Sequence, residues 1–373
     1  MHKLTQSEIP MRPYWLTKML VLSVVLLLDP AVAIAQGSPQ QVGTIEQPAD
    51  KKDAQAAPLK PKPEQERPTR WGEPTEVRVA IYVIDVDGVD SANQRFSANV
   101  YYSASWNNPL LRHKGPGPII RRITDVWSPR LAIVNQQQAW SSFPAFVEIS
   151  PDGEVTYRQK TWGWFSASMK LQGFPLDRQT LTIHMAAAGM LESDVKMIPA
   201  VLRKGRGSGI AKKFSMPDFK VVDWSAGPRP YVAFEGLEGT AGFIMEMDIE
   251  RLPGYYIWKV IFPLCLIVIM SWIPRWLDPK EIGTSIGIST TAFLTLVAYL
   301  FAIVNLLPRV SYLTRMDLFI LLSMALVFIA LLQTTIGAYF VNRNMTAKIK
   351  ATNILSRIIY PVLLLAVLGI SFL

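Results

Sequence analysis

From Ile282 to Leu307 the chain reads IGTSIGISTTAFLTLVAYLFAIVNLL, with no charged residue between Glu281 and Arg309. The run is long enough to cross the hydrocarbon core of a bilayer as a helix. A lipid-embedded anchor is ordinarily Leu, Ile and Val throughout, yet Thr284, Ser285, Ser289, Thr290, Thr291, Thr295 and Asn305 interrupt this one. At spacings of four and three in alternation, Gly287, Thr291, Leu294, Ala298, Phe301 and Asn305 fall on one helical face. That face is small and polar at its start, apolar in the middle and polar at its end. Two readings stand at this point. Small and hydroxylated residues are common where membrane helices pack together. The same stripe suits one wall of a water-filled pore, with Leu294, Ala298 and Phe301 as a constriction that closes by dewetting. One helix encloses nothing, so the pore reading requires a ring of subunits. Asp278 and Glu281, with Lys280 and Arg275 beside them, would then stand at the inner mouth.

Three further apolar runs, at about 255–273, 317–341 and 354–373, make an all-α four-helix transmembrane domain over residues 254–373. The connection between the third and fourth runs carries Arg343, Lys348 and Lys350 and no acid, which places it in the cytoplasm. At the other end, Arg12 and Lys18 precede the apolar stretch Met19–Leu28, and Ala33-Ile34-Ala35 follows. This order predicts a signal peptide over 1–35. Both observations put the intervening domain outside the cytoplasm. Residues 36–70 are rich in Pro, Gln, Ala and charge, a composition that predicts a disordered linker.

From 71 to 253 short runs of strand period alternate with Gly, Pro, Asn and Asp. Val77–Val83 alternates, Phe96–Trp106 is β-branched and aromatic, and Phe146–Tyr157 reads as a hairpin around Pro151-Asp152-Gly153. Asp218–Trp224 and Phe243–Ile249 alternate again. The pattern predicts an all-β, immunoglobulin-like sandwich outside the membrane. Asp85–Asp90 lacks the spacing of a calcium loop and reads as an acidic turn.

Of the 373 residues, 50% are hydrophobic, and 38 basic against 29 acidic side chains give a net charge of +9. The excess follows membrane topology, and no nucleic-acid motif accompanies it. Cys265 is the one cysteine, inside an apolar run, so no intrachain disulfide forms. No nucleophile elbow, phosphate loop or metal-ligand cluster points to an enzyme, a cofactor or a metal. A transporter fits poorly, because no carboxylate or broken-helix repeat lies within the spans. A non-conducting exported receptor is the alternative to a channel.

The segment Met169-Lys170-Leu171-Gln172-Gly173-Phe174-Pro175-Leu176-Asp177-Arg178-Gln179 resembles the signature loop of the pentameric ligand-gated ion channels, the superfamily of nicotinic and glycine receptors. Trp127-Ser128-Pro129 with Asn135, Trp106-Asn107-Asn108-Pro109, Arg251-Leu252-Pro253-Gly254-Tyr255-Tyr256 and Leu307-Pro308-Arg309-Val310-Ser311-Tyr312 resemble further family segments in the right order. Ala167 and Leu181 stand where animal receptors carry the loop cysteines, a departure that resembles the prokaryotic branch. The resemblance implies a homopentamer around a central pore in the inner membrane, its β-domain on the periplasmic side, passing monovalent ions and tilted by the prokaryotic likeness toward cations. It implies that Phe174, Pro175 and Asp177 press on the linker at Pro308 and Tyr312, and that Arg251 pairs with Asp85 or Asp87. Agonists of the family bind between neighbouring sandwiches in an aromatic box. Tyr101, Tyr231 and Phe234 are the candidate rings here. Val134 and Ala186-Ala187-Ala188 occupy other box positions, which disfavours a quaternary amine. The agonist is otherwise an unknown small molecule or a proton, with His113 and His184 in the titrating range.

Overall fold

The computed structural model describes residues 63–69, 72–200, 207–233, 238–304, 307–343 and 345–373, the side chains of 346–348 excepted. The expected signal peptide, most of the expected linker, and the site candidates Phe234 and Asn305 lie outside the described residues. The described end of the linker is packed rather than free. Glu64 takes Arg121 at 2.7 Å, Arg67 takes Asp194 at 2.7 Å, and the Glu64 carbonyl accepts from the Trp127 amide at 2.9 Å. Composition alone treats such charges as solvated, whereas here each meets an opposite charge on the β-domain.

Twelve strands form among the described residues: β1 (Thr75–Asp90), β2 (Arg95–Asn107), β3 (Ile119–Arg122), β4 (Leu131–Ile133), β5 (Gln136–Ser141), β6 (Phe146–Ile149), β7 (Glu154–Ser166), β8 (Arg178–Leu191), β9 (Val195–Pro199), β10 (Gly209–Ile210), β11 (Phe219–Pro228) and β12 (Thr240–Arg251). The larger sheet runs β10-β1-β2-β7-β6-β3, with β5 on β7 and β9 on β1, and the smaller runs β11-β12-β8-β4. Period-two burial fills the space between them. Val77, Val79 and Ile81 of β1 face Leu181, Ile183 and Met185 of β8 and Phe243, Met245 and Met247 of β12 across one buried core. Phe96 and Phe165 stack there at 5.4 Å. Each such side chain contributes about 1.5–3 kcal/mol by leaving water.

The hairpin predicted around Pro151–Gly153 joins β6 to β7. Gly153 has φ +87°, and a Cβ there would stand 2.6 Å from the Asn108 carbonyl, so only glycine fits. The expectation of an acidic turn at 85–90 is corrected. Those residues continue β1, paired with β2 as far as Asp90 opposite Arg95, and two register shifts accommodate them. Val86 is fully buried, so the strand period persists beneath the acids.

Four helices long and apolar enough to span a membrane follow: α1 (Gly254–Trp276), α2 (Ile282–Ile303), α3 (Arg315–Asn342) and α4 (Thr346–Phe372). α1 is irregular for a local reason. Pro263 has no N–H to give the Lys259 carbonyl one turn back, and the chain widens into a π-turn over Ile257–Ile261. The Tyr299 hydroxyl of α2 reaches across to the Lys259 and Val260 carbonyls at 2.9 and 3.0 Å, supplying a donor at the irregular turn. α3 opens on a capping box, Thr314 with Asp317. Two helix bounds differ most from expectation. α2 is α-helical only to Ile303, with Leu307 beyond it, and α4 starts at Thr346 rather than 354, so Lys348 and Lys350 ride on its first turns. Hydropathy cannot see a helical turn built of polar residues.

Candidate functional site

The β-domain meets the helices at a junction built around Arg251, the last residue of β12. Its Nε and Nη2 donate to the two Asp177 oxygens at 2.7 and 3.1 Å. Nη2 also donates to Ser91 Oγ at 2.8 Å, and the guanidinium lies 4.3 Å from the Phe219 ring centre. Arg251 is 5% exposed and Asp177 4%. A bidentate pair this deep is both strong and costly to break. The expected partners Asp85 and Asp87 are therefore corrected. Asp85 takes the Ser215 amide and hydroxyl at 2.7 and 2.6 Å, and Asp87 accepts from the Trp162 indole at 2.5 Å.

The loop that supplies Asp177 also grips the third helix. Gln179 Nε2 donates to Asp177 at 2.6 Å and to the Lys170 carbonyl at 2.8 Å, which closes the loop on itself. Phe174, joined to Pro175 by a cis peptide bond, is buried with its ring edge-on to Tyr256 at 4.7 Å. The Leu171 amide donates to the Tyr312 hydroxyl at 2.9 Å. Carbonyls of Gln172 and Phe174 accept from the Arg315 and Met316 amides at 3.0 and 3.2 Å. Those amides are among the unsatisfied donors of a helix N-terminus. The contact thus falls on Tyr312 and the start of α3. Among the described residues no hydrogen bond joins Pro308 to the loop. Ser91, Phe219, Arg315 and Met316 escaped sequence reasoning, since three contribute through main chain or a short hydroxyl and no spacing marks them.

On α2 the stripe and the packed face separate cleanly. Gly287, Thr291, Leu294, Ala298 and Phe301 are all exposed, Leu294 at 61% and Phe301 at 75%. Ser289, Ala292, Leu296 and Ile303, on the opposite face, are buried against the other helices. Among the described residues nothing covers the stripe, and Gly287, Thr291 and Ala298 stand where lipid would favour Leu. Below it Asp278, Lys280 and Glu281 are exposed, Glu281 accepting from Thr284 at 3.2 Å. Arg275 is corrected. It is 3% exposed and turned into the bundle, so it does not stand at the mouth.

Tyr101 lies on β2 of the larger sheet, edge-on to Phe143 at 6.5 Å, while Tyr231 bridges Thr240 beside the smaller sheet. One chain does not bring them together. Tyr231 stands edge-on to His184 at 5.2 Å beside a cavity of about 440 Å³ that Val134, Asn135, Thr182 and Glu246 also line. The ring nitrogen Nε2 of His184 is 3.1 Å from the Arg229 carbonyl, and Arg229 pairs with Glu246 at 2.6 Å. Burial pushes the His184 pKa below its ordinary 6.5 and the Arg229 charge adds to this, against the Arg229 carbonyl and Glu246. Ala186 and Ala187 are buried, so neither can line a box.

Known proteins carry the same two halves in the same order. The neurotransmitter-gated ion-channel ligand binding domain matches residues 60–226, and the neurotransmitter-gated ion-channel transmembrane region matches residues 260–360. An acetylcholine-gated chloride channel subunit, acc-1, of Caenorhabditis elegans is 28% identical over 291 residues, 73% of this chain and 59% of that protein. A gamma-aminobutyric acid receptor subunit beta-4 of Gallus gallus is 22% identical over 277 residues, 72% of this chain and 56% of its own. A gamma-aminobutyric acid receptor subunit beta of Caenorhabditis elegans is 22% identical over 280 residues, covering 72% and 50%. The chain spans between half and three fifths of the length of these relatives. With the two family matches together covering well over half of it, the chain belongs to the neurotransmitter-gated ion-channel superfamily.

Proposed function

We propose that this chain is one subunit of a homopentameric ligand-gated ion channel, with α2 lining the pore and the Asp177–Arg251 junction carrying the signal from the β-domain to the helices. The observation that carries the reading is the exposed α2 stripe of small, hydroxylated and apolar residues, opposite the face on which Ser289, Ala292, Leu296 and Ile303 pack into the bundle. Gly287, Thr291, Leu294, Ala298, Phe301 and, by period, Asn305 form the pore wall, and Leu294 and Phe301 form the gate. Asp278 and Glu281 line the inner mouth. The agonist, a small molecule or a proton, binds between neighbouring β-domains, where Tyr231 and Phe234 of one subunit meet Tyr101 of the next. Coupling is a rigid-body switch: the β-domain rotates, and the Phe174–Pro175–Asp177 loop carries Tyr312, Pro308 and α3 with it. The protein sits in an inner membrane with its β-domain on the periplasmic side, a placement supported by Arg343 and the lysines of α4 at the opposite end. Ala167 and Leu181, in place of the loop cysteines, support a prokaryotic affiliation.

The pore selects monovalent cations. With Arg275 withdrawn, each subunit presents two acids and one lysine to the inner mouth, a net negative ring. A second reading, anion selectivity, is favoured by the chloride channel among the relatives. Planar-bilayer recording of purified protein across pH and a small-amine panel, under a sodium chloride gradient, tests the proposal. Agonist-evoked currents reversing toward the sodium potential support it, and reversal toward the chloride potential assigns the anion reading. Confirmed pentamers with no current under any condition would favour a non-conducting receptor.

A further inference from the structure

The inner end of the bundle holds a buried cation without an anion. Arg275 lies in the tight turn Ile273–Trp276 that closes α1. Its Nη2 donates to the Ala330 carbonyl and the Thr334 hydroxyl of α3, each at 2.7 Å. Its Nε is buried and has no acceptor. Among the described residues no carboxylate pairs with it, and Asp278 and Glu281 are exposed and engaged by the Lys280 amide and Thr284. A second guanidinium deepens the positive field: Arg357 Nε donates to the Arg275 carbonyl at 3.0 Å, and its charge sits 4.7 Å from the Trp276 ring centre.

Arg275 also borders a cavity of about 30 Å³, walled by Pro274, Pro279, Ile282, Ser285 and Asn353 among others. That is room for a water-sized or slightly larger occupant and too little for a phosphate group. The chemistry of the wall selects the occupant. Ser285 and Asn353 carry hydroxyl and amide donors. Thr334 offers none, because its own proton goes to the Ala330 carbonyl at 2.9 Å. The first turn of α2 adds the positive end of a helix. Water in the cavity would satisfy a donor but leave the charge uncompensated in a low-dielectric bundle, which is the costly arrangement. An anion removes both deficits.

We propose that this cavity is a binding site for one halide-sized anion, chloride in practice, held by the Arg275 Nε–H with Ser285 and Asn353 and bracing all four helices beside the start of α2. The site is independent of whether the protein conducts. The test uses the full chain in zwitterionic nanodiscs and in bromide-grown crystals. A bromide anomalous peak within hydrogen-bond distance of Arg275 Nε supports the proposal. It is expected alongside a saturable rise in Tm as chloride replaces gluconate at constant ionic strength. Ser285→Val fills the cavity and removes a donor, and it should abolish both peak and chloride dependence while the protein still folds. Arg275→Lys should weaken the chloride response several-fold. No bromide peak at the cavity, or a peak that survives in S285V, overturns the assignment. So does a Tm that ignores chloride but rises with added anionic lipid, since a lipid phosphate would then be what neutralises Arg275.

Discussion

Replacing Asp177 with alanine removes the acceptor of three side-chain hydrogen bonds at once, from Arg251 Nε at 2.7 Å, Arg251 Nη2 at 3.1 Å and Gln179 Nε2 at 2.6 Å. With Arg251 only 5% exposed, water cannot replace the carboxylate unless the junction opens. Stranding one partner of a buried pair costs about 3–5 kcal/mol. Ser91 and the Phe219 ring stay beside the guanidinium, so the lower end, about 3 kcal/mol, is expected. Arg251→Met strands the carboxylate instead, at a similar cost. The double variant strands no charge, only a Gln179 amide N–H and the Ser91 hydroxyl losing a partner, and it should lie closer to wild type than either single, a coupling of about 2 kcal/mol or more. The assay is hydrogen exchange in nanodiscs at the amides of Leu171, Arg315 and Met316, which bond across the junction. A loss of about 3 kcal/mol speeds their exchange on the order of 100-fold. If D177A moves them less than about tenfold, or the two single costs simply add in the double variant, the charge pair is not what holds the junction shut.

Other consequences follow from the same geometry. Leu294→Thr puts a hydroxyl into the proposed constriction, so bilayer recording should show agonist-free leak and roughly tenfold higher agonist sensitivity, worth about 1.4 kcal/mol; unchanged leak and sensitivity would move the gate elsewhere. Tyr299→Phe leaves the Lys259 and Val260 carbonyls without their donor and should cost about 1–3 kcal/mol, read as a lower Tm in the same lipid. The folded β-domain holds the His184 pKa below 6.5, so the unfolded chain binds the proton first as the medium acidifies. Stability present above pH 6.5 is then lost as pH falls from 6.5 toward the lower folded value, and His184→Gln should flatten that part of a Tm-against-pH curve.

What could be read beforehand depended on how local its cause was. Alternation on β1 and β12 is a property of neighbouring residues, and it foretold which side chains would face the core; the spacing of the α2 stripe picks out one helical face for the same local reason. The partner of Arg251 was not legible, because Asp177 lies 74 positions away in the loop before β8 and acids of the first hairpin compete for the same expectation. Asp85 and Asp87 are held by Ser215 and Trp162, whose approach depends on folding across the whole β-domain. Arg275 looked like a mouth residue because a charge at the end of an apolar run ordinarily faces water. Its inward turn depends on an acceptor, the Ala330 carbonyl, that every helix possesses and no sequence pattern advertises. The early start of α4 was hidden for a related reason, its first turns being polar yet helical.

The Arg315 and Met316 amides that donate to loop carbonyls of the β-domain belong to the backbone, and so do the carbonyls that receive them. No side-chain truncation can delete such a contact. An alanine scan of this junction would therefore register Asp177, Arg251 and Tyr312 and pass over the strands of the connection that hold most directly. Only a residue without an N–H reaches them. Position 315, the first of its helix, is where proline is tolerated by the helix itself. Arg315→Pro would cut one thread between sensor and bundle while leaving the fold on either side intact.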